Sequence, residues 1–371
     1  MATVAAVAIM ALSVSGMAVQ APTLAQKATQ SSFQRAIDLC QRKLAGGCTT
    51  SLHEVPNLLA QVFASDHEQT LARTERSVTN TTCLCPKSGV DGQGLLDEDL
   101  VAVQAFQTDR GARQCAGGGC SDACSRVTVA SFASRAECEA LVGGIEAHTP
   151  PAMAHEEFTL DLEELCATAD VATTLTFLRL IERLRRLVAH EYGVARECIF
   201  IESAFTSRIP ADAPQAAYGK LHADESSDES FHYSGVLHLR SAGDGFEGGD
   251  FAFSDAPAAE AARGEDGGAG MGSGDPLTDR ALTRVSPLQG RAVLFSSGWE
   301  NLHLVEPVTS GVRYAMPVFF RTAPDVDGAE LEQHGDDQVA HMCQWLAHVW
   351  SDPATLAELQ QEQHESHSQT R

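Results

Sequence analysis

Three side chains in the second half of the chain are of the right types to hold one metal ion. His222 and Asp224 are separated by a single residue, so on an extended segment both side chains point to the same side. His303 follows much later, beside another strand-like apolar run, and only a closed β fold would bring it next to the other two. Two imidazoles and one carboxylate cover one face of Fe(II) and leave the opposite positions open. The pattern predicts a mononuclear non-haem iron centre.

A second His-x-Asp sequence in the chain provides a comparison. His334-Gly335-Asp336 has the same form. It follows the predicted strands, at the start of a predicted helix, and no histidine beside a strand comes after it. The context therefore favours His222 and Asp224 as the ligand pair.

Arg313 lies in the last predicted strand, shortly after His303. A guanidinium that points into a β-barrel needs an anion, and its planar donors match a carboxylate through two hydrogen bonds. Arg313 is therefore predicted to bind the distal carboxylate of 2-oxoglutarate. The alternative is a structural ion pair with Glu306 or Glu247.

The segment around these residues is rich in short strands. β-branched and aromatic residues predict strands over 198–205, 233–239, 250–253, 291–295 and 312–320. Because no helical pattern separates them, the expected fold class is α+β with an antiparallel sandwich or barrel as its core. A low-complexity run over 255–279 predicts a disordered loop that joins two of the strands.

Helical patterns flank this segment. Between residues 156 and 192 apolar residues recur at spacings of three and four, which predicts an amphipathic helix that supports a sheet. Its arginines, Arg185 and Arg186 among them, are predicted to form a solvated face. Shorter helices are predicted over 32–44 and 338–350, and the polar tail is predicted to be disordered.

Length and composition are those of an ordinary folded protein. The chain has 371 residues, of which 43% are apolar, so it can bury a full-sized core. The formal charge of −24 would repel nucleic acid and favours a cationic or neutral substrate. The predicted organisation is a leader over 1–27, a cysteine-rich region over 28–150, supporting helices over 151–197, a catalytic domain over 198–322 and a C-terminal helix and tail over 323–371.

The N-terminal residues resemble a targeting segment. Residues 2–19 are apolar and alanine-rich, and small residues follow at Ala21 and Ala25, which predicts a cleavable secretory signal. A type II membrane signal-anchor and an organelle transit peptide are the alternatives. The expected location is the secretory pathway, either the endoplasmic reticulum lumen or outside the cell.

The cysteines agree with that location. Eight of the 11 cysteines lie between Cys40 and Cys138, and such crowding favours disulfides in an oxidising compartment. A glycosylation sequon at Asn80 points the same way. The alternative is a structural zinc site at Cys115, Cys120 and Cys124. The odd count predicts one free thiol, which we assign to Cys343 because it lies in an apolar helical pattern.

The strand-rich segment resembles a known family. The run GRAVLFSSGWENLHLVEPVTSGVRYAMPVFF at 290–320 carries the likeness, together with HYSGVLHL, FEGGDFAF and the AFTSRI stretch at 204–209. These sequences are similar to the catalytic domain of the prolyl 4-hydroxylase group of 2-oxoglutarate- and Fe(II)-dependent dioxygenases. The resemblance covers about residues 198–322 and implies a double-stranded β-helix, or jelly-roll, core.

The resemblance also implies roles for single residues. The family's iron ligands, which are its catalytic residues, match His222, Asp224 and His303. Arg313 matches the basic residue that holds 2-oxoglutarate. His238 stands where relatives commonly have a tyrosine that contacts the co-substrate, so it is either a co-substrate ligand or a core histidine. Tyr218 and Tyr233 either line the pocket or pack in the core.

The implied activity is hydroxylation of a peptidyl, possibly prolyl, substrate with release of succinate and CO2. The implied cofactors are Fe(II), 2-oxoglutarate and ascorbate. The expected partners are a peptide or protein substrate and O2, with no nucleic acid. A small-molecule oxygenase of the same superfamily and a non-catalytic secreted interaction module are the alternatives.

Overall fold

The computed structural model describes residues 32–45, 59, 62–63, 76–79, 126–167, 170–194, 196, 199–211, 213, 219–228, 230–255, 281–298, 301–322 and 329–369. The predictions for the leader, the Asn80 sequon, the three zinc-site cysteines and the loop interior lie outside these residues. The described strands are β1 Arg76–Thr79, β2 Arg126–Val129, β3 Phe158–Asp161, β4 Ile199–Pro210, β5 Tyr233–His238, β6 Phe246–Gly248, β7 Phe251–Asp255, β8 Ala281–Val285, β9 Ala292–Ser296, β10 His303–Val305 and β11 Val308–Thr322.

The strands form two antiparallel sheets. The large sheet has the order β1-β2-β9-β5-β11-β4-β3, with β6 also paired to β11, and the small sheet has the order β10-β7-β8. All five strands predicted from the sequence are present, and the strands on either side of the predicted loop, β7 and β8, pair with each other. The antiparallel sheets and the accompanying helices confirm the expected α+β class with a jelly-roll core.

Alternate side chains divide the large sheet into two faces. One face shares a small apolar cluster with the small sheet, and the members of that cluster are Val236, Phe251, Phe253, Val293, Phe295 and Ala315. We call this the inner face. The opposite, outer face packs against helices, since Leu237 and Leu294 belong to the main core cluster together with helical residues.

Two strands of the large sheet come from residues upstream of 150. β1 pairs with β2, and β2 pairs with β9 through Val127 opposite Leu294. The sheet therefore takes in residues that the sequence placed in a separate cysteine-rich region. The predicted bounds of the five regions stay predictions.

The described helices are α1 Ser32–Leu44, α2 Arg135–His148, α3 Leu162–Cys166, α4 Val171–Tyr192, α5 Ala329–Trp350 and α6 Pro353–Gln369. The single helix expected over 156–192 is instead β3, α3 and α4, because Asp161 and Asp170 each accept a hydrogen bond at the start of a new helix. The tail expected to be disordered contains α6. Leu359 of α6 is fully buried, which explains why this polar segment packs.

Helix α4 has the apolar stripe that the sequence predicts, but the prediction of a solvated arginine face is wrong. Arg185 and Arg186 are buried, and both donate to the buried carboxylate of Glu182, at 2.7 and 2.6 Å. Arg185 also donates to the carbonyl of Arg196, and Arg186 to that of Phe63. The spacings of three and four from Glu182 allow this pairing, and the carboxylate makes burial of two guanidinium groups tolerable.

The assignment of a free thiol to Cys343 is also wrong. Cys343 of α5 forms a disulfide with Cys40 of α1, with Cα atoms 4.8 Å apart. The two residues are 303 positions apart in sequence, so no local pattern indicates the pairing. Cys138 and Cys166 are free thiols, and burial raises the pKa of each to about 12.

Among the described residues, no helix combines the length and apolar character needed to cross a bilayer.

Replacing Glu182 by glutamine should lower the free energy of unfolding by about 3–5 kcal/mol, because two buried guanidinium groups would lose their carboxylate. Urea denaturation followed by circular dichroism measures the change. The matched control is Glu139→Gln, which removes the carboxylate of an exposed pair with Arg135 and should leave stability nearly unchanged. Equal losses in the two variants would contradict a structural role for the buried group.

Candidate metal centre

The two histidines of the candidate centre are joined directly by their backbones. The N–H of His222 donates to the carbonyl of His303 at 3.0 Å, and the N–H of His303 donates back at 2.9 Å. This isolated bridge connects the segment before Asp224 to β10 of the small sheet. The two imidazole ring centres are therefore only 4.4 Å apart.

Asp224 completes the cluster from a 3-10 turn that spans Asp224–Ser226. Its Oδ1 lies 3.5 Å from Nε2 of His222 and 3.4 Å from Nε2 of His303. One potential ligand atom from each of the three residues lies within 4.8 Å of the other two. The structure thus brings together all three residues that the sequence predicts as iron ligands.

Both imidazoles are oriented in the same way. Nδ1 of His222 is 2.8 Å from the carbonyl of Lys220, and Nδ1 of His303 is 2.8 Å from the carbonyl of Asn301. A carbonyl at Nδ1 favours the tautomer that carries its proton there and leaves the Nε2 lone pair available. This is the usual outer-shell arrangement for a metal-binding histidine.

The electrostatics of the cluster keep Asp224 ionised. Burial alone would raise the pKa of Asp224, but the neighbouring His303, His222 and Ser234 hold it well below its ordinary value. For His222 burial acts to lower the pKa, and the hydrogen bond and charge of Asp224 more than offset this, so the pKa is raised. The cluster therefore offers a carboxylate anion between two imidazoles.

Aromatic residues of the apolar cluster between the two sheets surround His303. Its ring stacks on Phe251 with centroids 4.8 Å apart, and it meets the edge of Phe295 at 4.9 Å. The side chain of His303 is 3% exposed, whereas that of His222 is 21% exposed. The cluster is therefore closed on the His303 side and reached from the His222 side.

Arg313 is buried on β11, and its position in the strand places it on the inner face with Ala315. Its Nε donates to the carbonyl of Gly249 at 3.1 Å. Gly249 has φ +70°, and a Cβ there would lie 2.8 Å from Cδ of Arg313, so only glycine leaves room for the arginine. Glu306, one of the two alternative partners, pairs instead with Arg284 at 2.8 Å.

His238 lies beside Arg313 on the neighbouring strand, opposite Ala315. It is fully buried, and neither ring nitrogen has a hydrogen-bond partner among the described residues. Burial, followed by the charges of Arg313 and Arg291, lowers its pKa well below the ordinary value. His238 is therefore a neutral imidazole with one N–H donor, next to a buried cation.

Tyr218 and Tyr233 are the two tyrosines that the sequence offers as pocket residues. Tyr218 lies outside the described residues. Tyr233 is adjacent to Ser234 in β5 and so faces the opposite, outer side, where its ring stacks on Tyr192 of α4 with centroids 4.6 Å apart. Of the two alternatives for Tyr233, the structure therefore has packing in the core and not lining of the pocket, because alternate residues of a strand face opposite sides.

The second His-x-Asp sequence has a different setting. His334 and Asp336 fall within helix α5. Residues two apart on a helix do not share a face, so this pair lacks the geometry of an extended segment. The backbone conformation therefore agrees with the choice of His222 and Asp224, and not His334 and Asp336, as the ligand pair.

Several supporting residues were not identified from the sequence. Ser234 donates to Asp224, and its hydroxyl lies 2.8 Å from that of Ser297. The carbonyl of Ser297 accepts from the N–H of Glu225 at 3.1 Å, which ties the Asp224 turn to the end of β9. The parity of Ser234 with His238 along β5 is the sequence signal that would have indicated an inward-facing residue.

Comparison with known proteins identifies the class of the strand-rich segment. Residues 213–321 match the family model of the 2OG-Fe(II) oxygenase superfamily. This segment is therefore similar to a 2OG-Fe(II) oxygenase domain, as the sequence resemblance implied. Among curated proteins it is similar to the 2-oxoglutarate and iron-dependent oxygenase domain-containing protein 3 of Rattus norvegicus, with 30% identity over 148 residues, and of Homo sapiens, with 28% identity over 148 residues.

These likenesses cover only part of each protein. The match to the rat protein takes in 39% of this chain and 40% of the relative, and the match to the human protein takes in 39% of each. Among solved structures, a Pseudomonas putida prolyl-4-hydroxylase is 19% identical with a TM-score of 0.34, over 53% of this chain and 92% of that one. A viral collagen prolyl hydroxylase from Paramecium Bursaria Chlorella virus-1 is 14% identical with a TM-score of 0.36, over 53% and 96%.

The donor set of the cluster fits Fe(II). Two imidazole nitrogens and one carboxylate oxygen on one side of an ion are the ligands of a facial triad, which leaves positions for a bidentate co-substrate and O2. The superfamily implies both Fe(II) and 2-oxoglutarate.

Replacing Asp224 by alanine should weaken Fe(II) binding at least about 100-fold, since loss of even an outer-shell partner of a ligand costs about 10–100-fold. Anaerobic Fe(II) titration measures the affinity. Asp336→Ala, which changes the second His-x-Asp sequence, should bind iron as tightly as the original protein. Similar losses in both variants, or none in Asp224→Ala, would contradict the assignment.

Proposed function

We propose that the chain is an Fe(II)- and 2-oxoglutarate-dependent dioxygenase that hydroxylates a residue of a peptide or protein, with succinate and CO2 as co-products. The observation that carries the proposal is the convergence of Nε2 of His222, Oδ1 of Asp224 and Nε2 of His303. Bound iron, 2-oxoglutarate and O2 would together supply the oxidising chemistry, and the protein would supply binding and orientation. The names of the curated relatives support the same class of enzyme.

The three ligands would hold iron by one face. Asp224 is ionised, and the carbonyls of Lys220 and Asn301 fix both imidazoles with Nε2 towards it. These groups are already aligned by the backbone bridge, so little reorganisation is needed for binding. The more exposed side, at His222, is where the co-substrate and the substrate would approach.

Arg313 and His238 would bind the distal carboxylate of 2-oxoglutarate. Both are buried on neighbouring strands of the inner face, one cationic and the other neutral. A guanidinium can donate two parallel hydrogen bonds to a carboxylate, and the single N–H of a neutral imidazole can donate a third. His238 would then take the part that a tyrosine hydroxyl plays in relatives.

The aromatic residues beside the centre favour a peptide with an apolar ring, such as proline. Phe319 is directly opposite Ser234 in the sheet and therefore shares its face. Its ring stacks on Phe231 with centroids 4.3 Å apart, and Phe205 lies 6.3 Å away on the other side. All three rings are half-buried, so they retain surface for a substrate. The formal charge of −24 suits a cationic or neutral peptide.

We further propose that the protein works in the secretory pathway with ascorbate as a reductant. The disulfide between Cys40 and Cys343 supports an oxidising compartment, because cytosolic proteins keep their thiols reduced. The ascorbate requirement rests on the family resemblance.

Succinate formation tests the proposed function most simply. The purified protein, supplied with Fe(II), 2-oxoglutarate and ascorbate, should release succinate, and proline-rich peptides should stimulate the release. His222→Ala should abolish it. Phe319→Ala should reduce the stimulation by peptide and leave peptide-independent release unchanged. Release that no peptide stimulates would favour a small-molecule substrate, and no release by iron-loaded protein with any peptide would contradict the proposal.

Replacing Arg313 by glutamine should raise the KM for 2-oxoglutarate by about 10- to 100-fold, because a hydrogen-bonded charge pair contributes about 1.5–3 kcal/mol. Fe(II) affinity should be unchanged. Arg284→Gln removes an exposed arginine paired with Glu306 and should leave the KM as it is. An unchanged KM in the Arg313 variant would mean that this arginine is structural.

A further inference from the structure

A buried arginine from outside residues 213–321 reaches Asn301, two residues before His303. Arg126 lies on β2, is 5% exposed, and donates from Nε to Oδ1 of Asn301 at 2.8 Å. The two residues are 175 positions apart in sequence. Arg126 also precedes residues 213–321, the range that matches the oxygenase superfamily.

Hydrogen bonds hold both the side chain and the backbone of Asn301. It is fully buried, and its Nδ2 donates to the carbonyl and the hydroxyl of Ser296, at 3.0 and 2.9 Å. Its N–H donates to the carbonyl of Gly298 at 3.0 Å. Its own carbonyl is the group that accepts from Nδ1 of His303. Whatever holds the Asn301 side chain therefore sets the position of the carbonyl that orients His303.

The guanidinium of Arg126 also lies over the ring of Phe253, one of the aromatic residues next to His303. Its Cζ lies 4.1 Å from the ring centroid of Phe253. Phe253 in turn meets the edge of Phe295 at 5.3 Å and lies 6.1 Å from the ring of His303. Arg126 thus supports His303 from two directions, through the Asn301 amide and through the phenyl rings.

We propose that Arg126 is a positioning residue for the metal centre. By holding Asn301, it keeps the Nδ1 acceptor of His303 in place and so sets the affinity of the site for its metal. This inference rests on the proposed function, since it assumes that His303 is a metal ligand. It also means that the metal site depends on β2, a strand that the segment 198–322 does not contain.

The test measures metal binding by the full chain, with Co(II) as the probe and its visible absorption as the readout. Arg126→Met should raise the Kd for Co(II) about 10-fold, the lower end of the 10- to 100-fold cost of losing an outer-shell partner, because Arg126 acts on the Asn301 carbonyl through the Asn301 side chain. Arg126→Lys keeps a cation near Phe253 but lacks the planar guanidinium donors that suit Oδ1 of Asn301. Its Kd for Co(II) should therefore lie between that of the original protein and that of Arg126→Met. The matched control is Arg208→Met.

Arg208 is a buried arginine of the same sheet, and it donates to Glu146 and to the carbonyl of Ala154, away from the three ligands. Its replacement should cost stability and leave the Kd within about twofold of the original, a margin of less than 0.5 kcal/mol. A folded Arg126→Met with unchanged Kd, or an equal loss in Arg208→Met, would overturn the inference. If Arg126→Met does not fold, an unchanged Kd in Arg126→Lys overturns it. If the original protein binds no Co(II), the proposed function fails instead.

Discussion

The pair of backbone hydrogen bonds between His222 and His303 is the interaction on which the site depends. It sets the centres of two imidazole rings 4.4 Å apart. The carboxylate of Asp224, which belongs to a 3-10 turn, lies near Nε2 of both rings. The bridge also joins a segment outside the regular strands to the small sheet, so the site lies where the two sheets come together. A buried carboxylate between two imidazoles is stable only because its neighbours stabilise the charge.

The space between the inner face and the small sheet has two functional ends. At one end are the three metal-ligand candidates with Ser234, and further along the same strands are Arg313 and His238. Phenylalanines fill the space between the sheets and exclude water from the His303 side. Such a dry environment strengthens the charge interactions that would hold a metal and a dicarboxylate. The outer face, with Tyr233 and the helices, serves packing.

The sequence predicts what local patterns encode. The five strands, the apolar stripe of α4 and the choice of His222 and Asp224 over His334 and Asp336 follow from periodicity and context. The sequence does not predict the burial of Arg185 and Arg186, because that burial depends on a carboxylate partner; their spacing from Glu182 is the local signal for this pairing. The Cys40–Cys343 disulfide and the contact of Arg126 with Asn301 join residues far apart in sequence, so no local pattern indicates them.

A crystal of the Fe(II)-loaded protein, measured on both sides of the iron absorption edge, tests the central claim most directly. The account predicts one strong anomalous peak bounded by Nε2 of His222, Nε2 of His303 and Oδ1 of Asp224. An empty cluster, with iron bound elsewhere or not at all, would contradict it.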